Sequence, residues 1–394
     1  MFKRFLTFIT IIALLSGCAS SDYSQIAQIA ISKNPRSAVK SFAIKKSVIY
    51  AANPKLLQRD INSFKKNFLA EVAKFLNAAS KNWGRKNVKK PSRTKYVKYM
   101  QNYRSRAEID FDRGVVTVET LDYKTPITSL KKAIVTTLLT PEDPRGVDLY
   151  SAKPVKLGGR PYLYQEVLDH QNKAILYRWR AENFAKYLTK HRLRKKYIVK
   201  NGKRVPVHFV KIRMVKDHEK VRVKKFKPYV ERFARRYSIS KNLVYAIIKT
   251  ESDFNQYAVS GAGAFGLMQI VPATAGRDAY KHAKKRTWTP TRQYLFNAKN
   301  NIELGCAYLN ILNFKYLGKI RNPVSREYCV ITAYNTGSGN VLRTFSKNRK
   351  RAFKIINAKK PSQVYTKLKT SLPYREARRY LIKVLNHKKE FVRL

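Results

Sequence analysis

Ser240-Lys-Asn-Leu-Val-Tyr-Ala-Ile-Ile-Lys-Thr-Glu251 is the stretch on which the fold of the second half of the chain turns. Ser240 suits an N-cap, and Leu243, Val244, Ile247 and Ile248 recur at helical spacing, which predicts a helix with one buried stripe. Glu251 lies four residues after Ile247 and eight after Leu243, so it continues that apolar stripe. A carboxylate there is partly desolvated and sits at the negative end of the helix dipole. Both effects favour its protonated form, and such a group can donate a proton near neutral pH. On spacing alone, a helix end emerging into solvent with Glu251 at its rim accounts for the same residues.

Downstream, Ser252-Asp-Phe-Asn255 leads to Ser260-Gly-Ala-Gly-Ala-Phe-Gly-Leu-Met-Gln269. Gly261, Gly263 and Gly266 spell GxGxxG, but no strand pattern precedes them. Arg286, twenty residues beyond Gly266, stands where a ribose-binding acid belongs, which excludes a dinucleotide site. The glycines instead let backbone approach a bulky ligand, with Met268 offering an apolar contact and Gln269 an amide. Asn301-Ile-Glu-Leu-Gly-Cys-Ala-Tyr-Leu309 reads as a helix with Ile302, Gly305, Cys306 and Leu309 inward. Ala333-Tyr-Asn-Thr-Gly-Ser-Gly-Asn340 ends another helix in a glycine turn. The ring of Tyr334 and the amide of Asn335 are what a sugar site uses, an apolar plate and paired donors and acceptors; packing with a satisfied hydroxyl is the rival reading for Tyr334 and Tyr380.

From Phe226 onward helical patterns repeat, over 229–237, 240–252, 298–315, 325–334 and 374–390, giving an all-α domain over 228–394. Before it, 56–80 reads as helix and 82–104 as a basic, Asn-rich stretch. Ile109, Phe111, the Asp112-Arg113-Gly114 turn, Val116 and Val118 form a hairpin pattern, and 127–140 reads as helix. Strands are expected at 163–167, 174–179 and 205–215, with a helix over 181–190, so residues 46–215 form an α+β domain. The charge run 216–227 is expected to be a linker, though a solvated helix face reads equally well.

Of 394 residues, 83 are Lys or Arg and 24 Asp or Glu, for a net charge of +59 spread along the chain. Such a surface seeks an anionic partner. Nucleic acid is opposed by the N-terminus, where Lys3 and Arg4 precede an apolar run, Phe5 to Ser16, closed by Leu15-Ser-Gly-Cys18. That is a secretion signal over residues 1–17, too short for the roughly 20 apolar residues of a membrane span. The run ending in Cys18 resembles a bacterial lipobox, which implies an acylated cysteine, a lipidated tether over 18–45, and, with Ala at position 19, an outer-membrane lipoprotein facing the periplasm. Cys306 and Cys329 are then left in an oxidising compartment; a disulfide and two buried thiols both fit the sequence. The six histidines form no metal-binding cluster, and no metal or other cofactor is expected.

Glu-Ser-Asp-Phe-Asn from Glu251, Gly-Ala-Phe-Gly-Leu-Met-Gln to Gln269, Asn-Ile-Glu-Leu-Gly-x-x-Tyr-Leu from Asn301 and Ala-Tyr-Asn-Thr-Gly-Ser-Gly-Asn from Ala333 resemble the successive motifs of the soluble-lytic-transglycosylase-like, goose-lysozyme-like domain. Val116-Thr-Val-Glu-Thr-Leu121, Asp143-Pro-Arg-Gly-Val-Asp-Leu-Tyr-Ser151 and Glu376-Ala-Arg-Arg-Tyr380 extend the resemblance to the membrane-bound lytic murein transglycosylase C family, its N-terminal accessory domain included. The resemblance implies a lysozyme-like fold that cuts the β-1,4 bond between N-acetylmuramic acid and N-acetylglucosamine in peptidoglycan glycan strands. It does so without water, leaving 1,6-anhydromuramyl ends in cell-wall turnover and remodelling. Glu251 is the implied acid and then base, Ser260, Met268, Gln269, Tyr334 and Asn335 the implied saccharide contacts, and Tyr380 lies near Glu251 by the same match. Ordinary glycosidases need two carboxylates. Here Asp253, Glu303 and Glu376 are the nearby candidates for a second, and none is an obvious partner. A hydrolytic lysozyme, a silent peptidoglycan-binding lipoprotein and a nucleic-acid-binding protein are the competing readings.

Overall fold

The computed structural model describes residues 68–261 and 263–392. The signal, Cys18, the tether and the start of the helix expected at 56 lie outside them. The described residues divide into two compact units. Residues 68–227 with Ser252–Val259 form an accessory unit, and Pro228–Glu251 with the chain from Ser260 onward form a helical unit.

The accessory unit is built on one antiparallel sheet, β1 (Lys95–Met100), β2 (Ser105–Asp110), β3 (Val115–Thr120), β4 (Arg194–Lys200) and β5 (Lys203–Arg213), in the order β1-β2-β3-β5-β4. The expected hairpin is β2–β3, with Ile109 opposite Val116 and Ala107 opposite Val118. Tyr96, Ile109, Val116, Val118, Val210 and Ile212 are buried. The helix α2 (Pro126–Leu138) packs on β2 and β3 and buries Leu130, Ala133, Ile134 and Leu138. Lys98, on β1, is also buried; its ammonium donates to the carbonyls of Asp148 (2.6 Å) and Ser151 (2.7 Å), and burial lowers its pKa to about 8. The Asp148–Ser151 motif is thereby fixed to the sheet.

Arg106 and Glu119 sit directly opposite each other across β2 and β3. The Arg106 Nε donates to Glu119 at 2.6 Å, and the guanidinium lies 3.5 Å from the ring centroid of Trp83 at the end of α1 (Ala70–Trp83). Lys89 (3.3 Å) and Lys196 complete a cage around the carboxylate. Burial alone would raise the Glu119 pKa, but these three cations overcome it and hold it at about 2.

Three expectations need correction. Residues 163–167 and 174–179 make only isolated bridges, Tyr164 with Val167 and Leu168 with Ala174. Between them Asp169 accepts the amides of Gln171 and Lys173 and a 2.6 Å bond from Arg180, so a side-chain-held turn replaces a strand pair. Trp179 already belongs to α3 (Arg178–His191). The expected linker 216–227 is the start of α4 (His218–Arg236), where Val223, Phe226, Val230 and Phe233 recur as a buried stripe beneath the charge. Strands β1 and β4 lie in stretches whose lysines and arginines mask the alternation.

The helical unit is all-α, as expected. It holds α5 (Lys241–Ser252), α6 (Arg277–Lys284), α7 (Arg292–Phe296), α8 (Ala298–Asn310), α9 (Pro323–Thr336), α10 (Ser338–Phe345), α11 (Arg349–Asn357), α12 (Pro361–Ser371) and α13 (Arg375–Glu390). Asn322 caps α9 by accepting from Val324 and Ser325, with Pro323 at the first helical position. This helix packs against α10, α12 and α13. Cys306 and Cys329 are free, buried thiols, and burial pushes both well above the usual thiol range. Among the described residues no helix is long and apolar enough to cross a membrane.

The Glu119 cage predicts an acid limb of stability. Its folded pKa lies below the ordinary 4.5, so its contribution is complete above pH 4.5 and is lost as pH falls toward 2. Urea unfolding of the accessory unit should lose on the order of 3 kcal/mol over that window, and Glu119→Gln should flatten the slope there.

Candidate active site

Glu251 stands one residue before the end of α5, and only 7% of it is exposed. The helix that carries it is buried well beyond one stripe: Leu243 to Ile248 are buried without interruption. The rim position compatible with the spacing is therefore not the one adopted.

On the loop side, Phe265–Ile270 is held in a closed form by local bonds. Phe265 and Ile270 exchange backbone hydrogen bonds of 3.0 and 3.1 Å, and Gln269 returns both its backbone N–H and its side-chain amide to the Gly266 carbonyl. Gly266 has φ +79°, and a Cβ there would stand 2.3 Å from the Leu295 carbonyl and from Asn301. Only glycine fits. Asn301, at the start of α8 and fully buried, gathers the loop: its amide donates to the carbonyls of Phe265 and Leu295 (2.8 Å each) and its oxygen accepts the Met268 N–H (2.7 Å). Sequence reasoning gave Asn301 no role, although it opens the Asn-Ile-Glu-Leu-Gly motif.

Met268 is completely buried, and its sulfur lies where a Cβ on Gly305 would stand, 2.1 Å away. Its side chain is loop support and not a surface offered to a ligand. Its carbonyl accepts the Tyr334 hydroxyl at 2.8 Å, tying the loop to α9. Tyr334 is half-buried, packs edge-on against Tyr308, and has its hydroxyl raised well above the usual range, by burial first and then by the neighbouring charge of Glu251. The loop, Tyr334 and Glu251 thus form one site. Asn335 and Gln269 are partly exposed, as is Ser260, whose hydroxyl accepts the Ala264 N–H and shapes the loop. Tyr380 is buried on α13, which packs against α9.

Two of the three candidates for a second carboxylate are paired with cations. Glu303, the other buried carboxylate described in the helical unit, takes two bonds from Lys284 (2.7 and 2.8 Å) and lies 3.6 Å from Arg236. Glu376 is exposed in the first turn of α13. Asp253 is buried within the accessory unit, 3.6 Å from Arg222.

Comparison with known proteins places these features. The family description "Membrane-bound lytic murein transglycosylase C, N-terminal domain" matches residues 57–225, and "Transglycosylase SLT domain" matches 228–357. A membrane-bound lytic murein transglycosylase C of Serratia proteamaculans is 42% identical over 86% of this chain and 92% of its own length. The chain belongs to the membrane-bound lytic murein transglycosylase C family. A Yersinia enterocolitica relative is 44% identical over 79% of this chain and 86% of its own. A solved structure of an inactive mutant of the lytic transglycosylase Slt from Pseudomonas aeruginosa aligns with 41% of this chain and 23% of that one, at 27% identity and a TM-score of 0.31.

In this lytic transglycosylase the residues directly after Glu251 leave the helical unit. Asp253 and Phe254 adopt left-handed backbone, φ 52° and 59°, and Ser252–Val259 packs with the accessory unit. Phe254 stacks on Phe226. The Asn255 oxygen accepts the Tyr162 hydroxyl and the Tyr257 N–H (3.0 Å each), while its amide donates to Arg93. Gln256 donates to Glu142 and the Tyr257 hydroxyl to Pro141. Arg222, which faces Asp253, also donates to Glu166 at 2.8 Å with both side chains fully buried.

Removing the Asn301 side chain should take a partner from three backbone groups and leave the buried Met268 N–H without its acceptor. Asn301→Ala is expected to cost about 3 kcal/mol or more in denaturant titration, and to lower turnover beyond that loss because the loop at Glu251 is no longer held. Gly266→Ala should act in the same direction through overpacking, by about 1–3 kcal/mol, plus about 1 for left-handed backbone.

Proposed function

We propose that the chain cuts peptidoglycan glycan strands at the β-1,4 bond between N-acetylmuramic acid and N-acetylglucosamine, as a single-carboxylate lyase. The observation that carries this reading is Glu251: a buried carboxyl beside Tyr334 and the Gly266–Gln269 loop, in a unit whose other buried carboxylate among the described residues, Glu303, is neutralised by Lys284 and Arg236.

Glu251 protonates the leaving glycosidic oxygen. The positive charge that grows at the anomeric carbon is shared by the substrate's own 2-acetamido group. Glu251, now a carboxylate, takes the proton of the muramyl C6 hydroxyl, whose oxygen closes on the anomeric carbon and gives the 1,6-anhydro end. One proton leaves the enzyme and one returns, so a single group serves both steps and no water is consumed. An inverting hydrolase instead holds a second carboxylate to activate water, and a retaining one to attack the sugar. Gln269 and Asn335, partly exposed, supply amides to the N-acetyl groups, Tyr334 and Ser260 border the sugar, and Met268 acts from beneath through its carbonyl. Tyr380 supports the site from α13.

The reading extends to the part of the chain before residue 68. Acylation at Cys18, after removal of residues 1–17, ties the enzyme to the outer membrane on its periplasmic side, with the glycan meshwork within reach.

Glu251→Gln should lower release of anhydromuropeptides from purified sacculi by at least about a thousandfold, since one residue acts twice. Product mass spectrometry checks the reaction class: reducing muramic acid ends in place of anhydro ends would mean hydrolysis. Cys18→Ala should abolish incorporation of labelled fatty acid into the chain, and unchanged labelling would rule out that cysteine as the anchor.

A further inference from the structure

The helical unit carries a group of aromatic rings that the cleavage step does not use. Tyr280 on α6, Trp288 in the connection after it and Tyr294 on α7 are in mutual contact, with ring centroids 4.9 Å (Tyr280–Trp288), 5.2 Å (Trp288–Tyr294) and 5.9 Å (Tyr280–Tyr294) apart. Neither tyrosine lies parallel to the indole, the planes meeting it at 59° and 81°, and 40% of Trp288 remains exposed. Lys285 and Arg286, just before it, are exposed as well. A single apolar residue at a surface needs no explanation. Two tyrosine rings packed against an exposed indole are a different matter, because they fix a flat apolar plate in water.

The plate is built on the scaffold of the active-site loop. Pro290, two residues after Trp288, is buried and so close to Gly276 that a Cβ there would stand 2.9 Å from its Cγ and 3.2 Å from Ile270. Ile270 follows Gln269 and closes the loop through its bonds with Phe265. On the other flank, the carbonyl of Leu295, next to Tyr294, is held by Asn301, the residue that also holds Phe265 and Met268.

We propose that Tyr280, Trp288 and Tyr294 form an outer glycan subsite, on which a pyranose ring of the strand stacks away from the bond being cut. This rests on the reading of the substrate as peptidoglycan. The C–H face of a pyranose is apolar and matches an indole plane, while the hydroxyls at its edge stay in water. Lactyl or stem-peptide carboxylates on the muramyl residues meet Lys285 and Arg286. Shared support with the catalytic loop favours the enzyme's own strand over a separate partner protein as occupant.

The full chain carrying Glu251→Gln, which holds uncut glycan, provides the test. Calorimetry with disaccharide, tetrasaccharide and octasaccharide fragments of alternating N-acetylglucosamine and N-acetylmuramic acid should show affinity rising with length. Adding Trp288→Ala should weaken the octasaccharide about tenfold and leave the disaccharide unchanged, and Trp288→Phe should restore most of the loss. Indole emission guards against a folding defect: the octasaccharide should shift a component that Trp288→Phe removes and that the disaccharide does not move. Equal affinity with and without the Trp288 ring, or no emission shift, overturns the subsite. The unaltered chain on sacculi separates the two readings. No anhydro ends would sink the substrate assignment itself, whereas anhydro ends with binding indifferent to Trp288 would sink the subsite alone.

Discussion

Three hydrogen bonds from one buried amide, that of Asn301, hold the active site in shape. A loop rich in glycine has too much conformational freedom to stay closed through its own backbone, and ordering it costs free energy at every residue. Asn301 meets that cost with fixed partners on both sides of the turn, the carbonyls of Phe265 and Leu295 and the N–H of Met268. Met268 in turn hands its carbonyl to Tyr334, and Tyr334 stands beside Glu251. The Glu251 carboxyl is thus linked to the loop through a chain of polar groups, each of which would be expensive to leave unpaired.

How much of this was legible in the sequence depended on whether a residue's job showed in its spacing. The β2–β3 hairpin was legible because apolar residues alternate on both sides of a glycine turn. The helices of the second half were legible because their buried faces repeat at helical spacing. Strands β1 and β4 were hidden by their own charge: Lys98 is buried in β1, yet it reads as a surface residue until its carbonyl partners are seen. The linker reading failed for the same reason, since lysines and arginines between Val223 and Phe233 obscured a regular buried stripe. At the candidate site, the burial of Glu251 was legible from its place on an apolar face. Met268 was misjudged because a side chain buried under a loop and one lining a cleft look alike in sequence, and Asn301 was overlooked because a hydrogen-bonding hub has no periodicity at all.

The acidic residues explain why the chain is so basic toward its surroundings. Among the described residues seven acids, Asp110, Glu119, Glu166, Asp169, Glu251, Asp253 and Glu303, are buried. Most of these seven sit against arginine or lysine: Asp110 by Lys95, Glu119 in its cage, Glu166 and Asp253 by Arg222, Asp169 by Arg180, Glu303 by Lys284. Carboxylates are rarely this deep unless paired. Placing them inside removes negative charge from the outer surface, so the surface available to a polyanion is more one-sided than composition alone suggests.

The accessory unit is not a simple leading extension of the catalytic one. Its last eight residues, Ser252–Val259, are separated from the rest of it by Pro228–Glu251, and Asn255 reaches partners 93 and 162 positions earlier in the chain. A gene shortened to the helical half would carry those eight residues without the groups that satisfy them. The two halves are therefore interleaved along the polypeptide. A ribosome must also deliver Ser252–Val259 before the accessory unit can be complete, which ties the maturation of the first half to synthesis of the second.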